Sequence, residues 1–412
     1  MPCINRNRFR TLSLVLFAAS LLPYASASPT PRWTATWGSS QMKPAGADVL
    51  PSKSLEGTSL RQVVHISVGG SQLRLHLSNA FGASPLILHA IHVGRGPAGK
   101  QGSVEQGSDT VVQFHGATSV SIPAGAEYLS DPIPMSASPL SDVVITIMIE
   151  RTPDTLTFHA GSRATSFLLP GNHLEDAAFE APQTFAHWYF VAGLEVETRQ
   201  NAASIVTLGD SITDGHGATT DANDRWPDIL AQQLAPRHLG IVNQGIGGNR
   251  ILEDGLGPNA LARFDRDVLS VSGARFLIVL EGINDLGTLD RLEEHAQPIH
   301  DTLVLELESA FQQMVERAHA HGIRVYGGTI TPDRGSDYYH PSERSEADRQ
   351  TLNRWIRTAH VFDAVIDFDE LLRDPAHPDR IAPQYDSGDH LHPSLFGYKR
   401  MGEGVPLAVF KR

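Results

Sequence analysis

Cysteine is nearly missing from this chain: among 412 residues there is only Cys3. It lies before an apolar stretch at residues 12–22, which is preceded by Arg6, Arg8 and Arg10 and followed by Ala25-Ser26-Ala27. A basic start, a short apolar run and a small-x-small site predict a secretory signal peptide over residues 1–27. With that segment removed the chain has no thiol. A cysteine nucleophile, a Cys-ligated zinc and a disulfide framework are then excluded, and an exported protein depends on its core alone. Long hydrophobic runs are lacking too, since residues 12–22 fall well short of the ~20 that span a bilayer. Positive charge is in deficit: 33 basic residues face 46 acidic ones, and the formal charge of -13 becomes more negative once the three arginines are gone. An acidic surface disfavours nucleic acid and anionic membranes as partners.

What is present has ordinary globular character, with 41% hydrophobic and 19% charged residues. The length exceeds what one core usually supports, so two domains are expected. Residues 33–198 form a series of short alternating segments separated by Gly, Pro, Ser and Asn. Val64, Ile66 and Val68 alternate up to Gly69-Gly70, and Leu73, Leu75 and Leu77 alternate after it, which predicts a hairpin. Further strand candidates are 86–93, 110–114, 119–122, 143–149, 156–159 and 188–196. Without a convincing amphipathic helix, this pattern predicts an antiparallel β-sandwich at residues 28–198. From residue 199 onward the pattern becomes strand, helix, strand. Candidate strands at 205–208, 241–243, 276–280, 324–327 and 365–367 alternate with helical stretches near 226–234, 259–269, 302–319 and 346–359, and with one after Pro393. That order predicts βαβ units, a parallel sheet and helices on both faces.

Residues 205–213 read I-V-T-L-G-D-S-I-T, so an apolar strand breaks at Gly209 and delivers Ser211. In open α/β sheets the ligand crevice lies outside the carboxyl ends of the strands. Asp210 and Ser211 would serve equally well as helix caps, so partners decide the matter. A serine nucleophile needs a base within hydrogen-bond reach and an acid to orient that base. Among 19 histidines, the segment D-S-G-D-H-L-H-P at 386–393 stands out, because it follows the last strand candidate and precedes the last helix. The spacing favours Asp389 with His392, and Asp386 and His390 are rivals in the same segment. His390-x-His392 also reads as a metal pair, but no further ligand is identifiable by spacing. Acyl transfer further requires donors to an oxyanion. The glycine-rich V-N-Q-G-I-G-G-N-R at 242–250 and the Asn284 of L-E-G-I-N-D are candidates, each at a strand end. Tyr338-Tyr339-His340-Pro341 is either a border of the cleft or a plain surface loop, and Arg250 either meets substrate or pairs with a carboxylate.

These blocks, G-D-S-I-T at Gly209, N-Q-G-I-G-G at Asn243, G-I-N-D at Gly282 and D-H-L-H at Asp389, resemble those of the SGNH, or GDSL-type, hydrolases. The resemblance implies a flavodoxin-like three-layer α/β/α fold and a Ser211, His392, Asp389 triad. It also implies an oxyanion hole made by the Ser211 N–H, Gly248 and Asn284, where Gly248 is chosen over Gly247 because the family glycine follows the block's asparagine by five residues. No cofactor is implied. S-L-R-Q-V-V-H-I-S-V-G-G and L-R-L-H-L-S-N-A-F-G resemble the β-domain of a secreted bacterial subgroup placed among xylan-related esterases. The expectation is an exported carboxylic ester hydrolase whose substrate is an O-acetyl group on an extracellular polysaccharide. A lipase or arylesterase is the nearer alternative, and a non-catalytic carbohydrate-binding protein the remote one.

Overall fold

The computed structural model describes Met1, Pro2 and residues 32–411 except 52, 199–201 and 293. The expected signal segment and the short junction after Thr198 thus lie outside the described residues. The first half is built from β1 (Arg32–Gly38), β2 (Thr58–Ile66), β3 (Leu73–Ser78), β4 (Leu86–Arg95), β5 (Thr110–Val111), β6 (Val120–Ile122), β7 (Glu127–Leu129), β8 (Ser141–Arg151), β9 (Phe158–His159), β10 (Ser166–Pro170), β11 (Gln183–Phe185), β12 (Trp188–Tyr189) and β13 (Val191–Thr198). One sheet runs β1-β13-β3-β7; a second runs β11-β10-β2-β8-β4-β5, with β6 beside β4. All their pairings are antiparallel, as in a sandwich. Val143, Ile145, Ile147 and Ile149 alternate along β8, and all four are buried in the core between the sheets. Each such side chain contributes roughly 1.5–3 kcal/mol relative to exposure.

The expected hairpin across Gly69-Gly70 does not form. β2 and β3 belong to different sheets, and the two glycines carry the chain from one to the other. A Cβ on Gly69 would stand 2.4 Å from the Ala137 carbonyl oxygen, and one on Gly70 2.6 Å from that of Glu197. The glycines therefore answer a close backbone approach. Both flanking runs do point their apolar side into one core, because alternation reports the buried face and is silent on the pairing partner.

The second half contains β14 (Ala203–Gly209), α1 (Ser211–Asp214), α2 (Trp226–Leu234), β15 (Leu239–Gly245), α3 (Ala260–Phe264), β16 (Ala274–Leu280), α4 (Ile283–Leu289), α5 (Gln297–Ala320), β17 (Arg324–Gly328), α6 (Glu343–Thr358), β18 (Ala364–Ile366), α7 (Phe368–Leu372) and α8 (Leu395–Gly404). Its sheet is parallel in the order β15-β14-β16-β17-β18, a flavodoxin-like arrangement that reverses direction between β14 and β16. The helices form two packed groups and complete a three-layer α/β/α fold. Trp226 of α2 lies on Phe368 of α7, while Phe311 of α5 packs on Trp355 of α6 and on Phe362.

The halves share a buried boundary. Strand β15 is an edge of the parallel sheet, and the sandwich covers it: Ser67 Oγ accepts the Ile241 N–H at 2.8 Å, and a Cβ on Gly240 would meet the Ala35 carbonyl oxygen at 2.6 Å. Covering an edge removes a site for unwanted strand pairing. Ile246, directly after β15, is fully buried in the sandwich core. Among the described residues no helix is long and apolar enough to cross a membrane.

Candidate active site

Register places the site. Gly209 lies opposite Gly245 on one side and Leu280 on the other, so β14, β15 and β16 end level with one another. Ser211, Gly248 and Asn284 follow those ends by a few residues and meet at the carboxyl edge. The turn after β14 is tight: a Cβ on Gly209 would stand 2.8 Å from the Leu280 carbonyl oxygen. Asp210 then caps α1, its Oδ1 accepting the Ile212 N–H at 2.8 Å, and Ser211 opens the helix. Burial pushes the Asp210 carboxyl up, and the nearby Asp285 and Asp214 add to this.

Ser211 Oγ lies 2.8 Å from His392 Nε2. His392 Nδ1 lies 2.6 Å from Asp389 Oδ2, so that nitrogen donates to the carboxylate and Nε2 is left facing the serine. Asp389 is itself fixed, since its Oδ1 accepts the backbone N–H groups of Leu391 and His392 at 3.0 and 2.8 Å. Burial alone would raise the Asp389 carboxyl, but these N–H groups and the His392 ring hold it well below the usual carboxylate range. Burial lowers His392, partly opposed by its bond to Asp389, and the positive charge of Arg163 lowers it further. His216 stacks on His392 with ring centroids 4.0 Å apart. The rival pair is engaged elsewhere: His390 Nδ1 bonds Asp386 Oδ2 at 2.5 Å, and neither residue lines the cleft. Among the described residues, a group of three side chains that could hold a metal ion is formed by His216, Asp389 and His392, with ligand atoms within 4.8 Å of one another, so a metal at this point would compete with the serine for His392.

The cleft over Ser211 holds about 460 Å³ and is bordered by Gly247, Gly248, Leu256, Asn284, Tyr338 and Tyr339, with His216 and His392. Gly248 has φ +70, and a Cβ there would press Leu256 Cδ1 at 2.9 Å. Among the described residues no group accepts the backbone N–H of Ser211 or of Gly248. The side chain of Asn284 is buried, giving one Nδ2 hydrogen to the Asn249 carbonyl at 2.7 Å. Its neighbour Asp285 accepts the N–H groups of Ile251 and Leu252 and so ties the loop after β15 to the start of α4. Of the residues left open by sequence, Tyr338 and Tyr339 border the cleft, whereas Arg250 pairs with Glu253 at 2.9 Å.

Sequence reasoning missed the residues behind the site. Arg263 is fully buried, and its guanidinium donates to the Gly209 and Gln244 carbonyls at 3.1 and 2.7 Å. It also reaches Asn249 Oδ1 at 2.8 Å, Ser40 Oγ at 2.7 Å and Asp267 Oδ2 at 2.9 Å. Thus one side chain fixes the ends of β14 and β15 together. His159, from β9, is hydrogen-bonded through Nε2 to Asp214 Oδ1 at 2.9 Å and through Nδ1 to the Ser40 carbonyl at 2.8 Å. No local motif marks these residues, because their partners lie far away in sequence.

Residues 207–400 match the family of GDSL-like lipases/acylhydrolases. This part of the chain belongs to that family. It is an ester hydrolase domain. No curated protein matches the sequence. Similar solved structures include a lipolytic protein of the G-D-S-L family from Desulfitobacterium hafniense, 23% identical over 49% of this chain and 97% of its own, with a TM-score of 0.37. The lipase/acylhydrolase from Enterococcus faecalis is 21% identical over 49% of this chain and 93% of its own, with a TM-score of 0.37. The acetyl xylan esterase AlAXEase is 18% identical over 50% of this chain and 100% of its own, also at 0.37.

Proposed function

We propose that this GDSL-type domain is a serine esterase using Ser211 as nucleophile, His392 as base and Asp389 as the acid that orients it. The observation that carries this reading is the unbroken hydrogen-bond chain from Ser211 Oγ through His392 to Asp389, at 2.8 and 2.6 Å. His392 Nε2 takes the serine proton as Oγ attacks the acyl carbon, and the N–H groups of Ser211, Gly248 and Asn284 receive the oxyanion. The imidazolium then protonates the departing alkoxide. Water, deprotonated by the same nitrogen, releases the acid and restores the serine.

For substrate we propose O-acetyl groups on an extracellular polysaccharide, with the protein exported by its first 27 residues. The acidic chain, the signal-like start and the attached sandwich support this reading. Ser211→Ala should lower turnover of p-nitrophenyl acetate by a factor of about 10⁴ or more and abolish labelling by a fluorophosphonate. Half the wild-type rate in that variant would sink the assignment. Acetate release from acetylated xylan, set against fatty-acid release from a triglyceride, then separates the polysaccharide reading from a lipase.

A further inference from the structure

Asn284 poses a problem of orientation. A carboxamide that serves an oxyanion must present N–H, and a flipped one presents a carbonyl oxygen that repels the developing charge. Two hydrogen bonds hold the side chain in the donating sense. The Asn249 carbonyl, which can only accept, takes one Nδ2 hydrogen at 2.7 Å. The Tyr339 hydroxyl donates to Asn284 Oδ1 at 2.5 Å. That leaves a single Nδ2 hydrogen, at the wall of the cleft that also contains Ser211 and Gly248.

We propose that Tyr339 is a positioning residue for the reaction: its hydroxyl fixes and polarises the Asn284 amide so that the remaining N–H is aimed at the oxyanion. The proposal rests on the serine esterase reading above. A hydrogen bond accepted by an amide oxygen draws electrons from the amide nitrogen and makes its N–H a better donor, an effect that is larger in a dry site. The ring of Tyr339 is seated for this task. Only glycine is tolerated at 287, one helical turn beyond Asn284, since a Cβ there would stand 2.5 Å from Tyr339 Cγ. Burial raises the Tyr339 hydroxyl well above its ordinary value, so it stays a donor across the working pH range. Its neighbour Tyr338 differs: half-exposed, it takes a hydrogen bond from Arg291 at 3.0 Å.

Tyr339→Phe keeps the ring in the Gly287 notch and removes only the hydroxyl. With p-nitrophenyl acetate we expect kcat to fall roughly tenfold, a fraction of the loss on deleting a whole oxyanion donor. KM and Tm should stay near wild type. The deciding measurement repeats the substitution in an Asn284→Ala background, where it should cost nothing further, because the amide it acts on is gone. Wild-type kcat in Y339F, or the same tenfold loss in both backgrounds, would overturn the role. Failure of the underlying assignment looks different, since Ser211→Ala would then stay active and both readings would fall together. If S211A is inactive while Y339F turns over at the wild-type rate, only the Tyr339 role is lost.

Discussion

Two histidines of this molecule, one from each half, are used in opposite ways. At the carboxyl edge of the parallel sheet, His392 is bonded to an acid on one side and a serine on the other, in a cleft open to ligand. In the sandwich, His159 is equally well bonded, between the Ser40 carbonyl and Asp214, but it is buried, and the cavity it lines holds about 30 Å³ against about 460 Å³ over Ser211. The difference teaches that a polar constellation alone does not make a site. Exposure to a cavity beside unpaired backbone N–H groups separates reacting groups from supporting ones. The sandwich supplies none of the chain from Ser211 to Asp389, yet it holds Asp214 on the helix that Ser211 opens, and through Ser40 it holds Arg263.

The harshest test of that division is Arg263. Replacing it with methionine leaves Glu281 buried without this cation, leaves Asp267 to Arg266 alone, and frees the carbonyls of Gly209 and Gln244. Breaking a buried pair from one side costs about 3–5 kcal/mol. We expect urea denaturation to show a loss of that size and turnover to fall along with it, although Arg263 never meets substrate. Full stability in R263M would mean that the two halves do not depend on this junction.

A subtler comparison sets Ile246 against Ile145. Both are fully buried in the sandwich core, but Ile246 belongs to the loop that carries Gly247 and Gly248. Either Ile→Ala change should destabilise by about 2–5 kcal/mol through lost burial and the cavity left behind. Only I246A should also reduce kcat at temperatures where both variants are fully folded, because its side chain anchors the loop that carries the proposed oxyanion donor Gly248. Equal kcat in the two variants would show that the sandwich stabilises the fold without shaping the site.

That contrast also explains what was legible in sequence. Ser211, Gly248 and Asn284 could be proposed because each falls within a few residues of the end of a strongly apolar strand, and Asp389 and His392 because their segment lies between the last strand and the last helix, on the same edge. The parallel strands and the long helices were legible for the same local reason. The Gly69-Gly70 crossing was misread as a hairpin since period-two patterning is identical whether consecutive strands pair or face each other across a core. Arg263, His159 and Ile246 were hidden, as their roles depend on contacts with Ser40, Asp214 and the sandwich core that no spacing encodes. Sequence leaves Tyr339 open between a cleft border and a surface loop, and the partner of its hydroxyl is visible only in the structure.

The smallest effect asks whether the sandwich touches the chemistry at all. Arg163, in the loop after β9, has φ 47, and its backbone carbonyl accepts the Asp221 N–H at 2.9 Å. Its charge disfavours protonation of both His216 and His392, adding to the larger effect of burial, while Asp389 works against it at His392. In the proposed role His392 must be neutral to take the serine proton, so a lowered value would keep the enzyme active further into acid. Arg163→Gln removes the positive charge, lets His392 protonate more easily and should move the acid limb of kcat/KM to higher pH. The shift should shrink as salt is added, since screening already weakens the Arg163 field in the wild type. Arg95→Gln, on a sandwich arginine paired with Glu105, is the matching control and should leave the limb where it was. An unmoved limb in R163Q, or an equal shift in R95Q, would mean that the sandwich acts on the site through packing and not through charge.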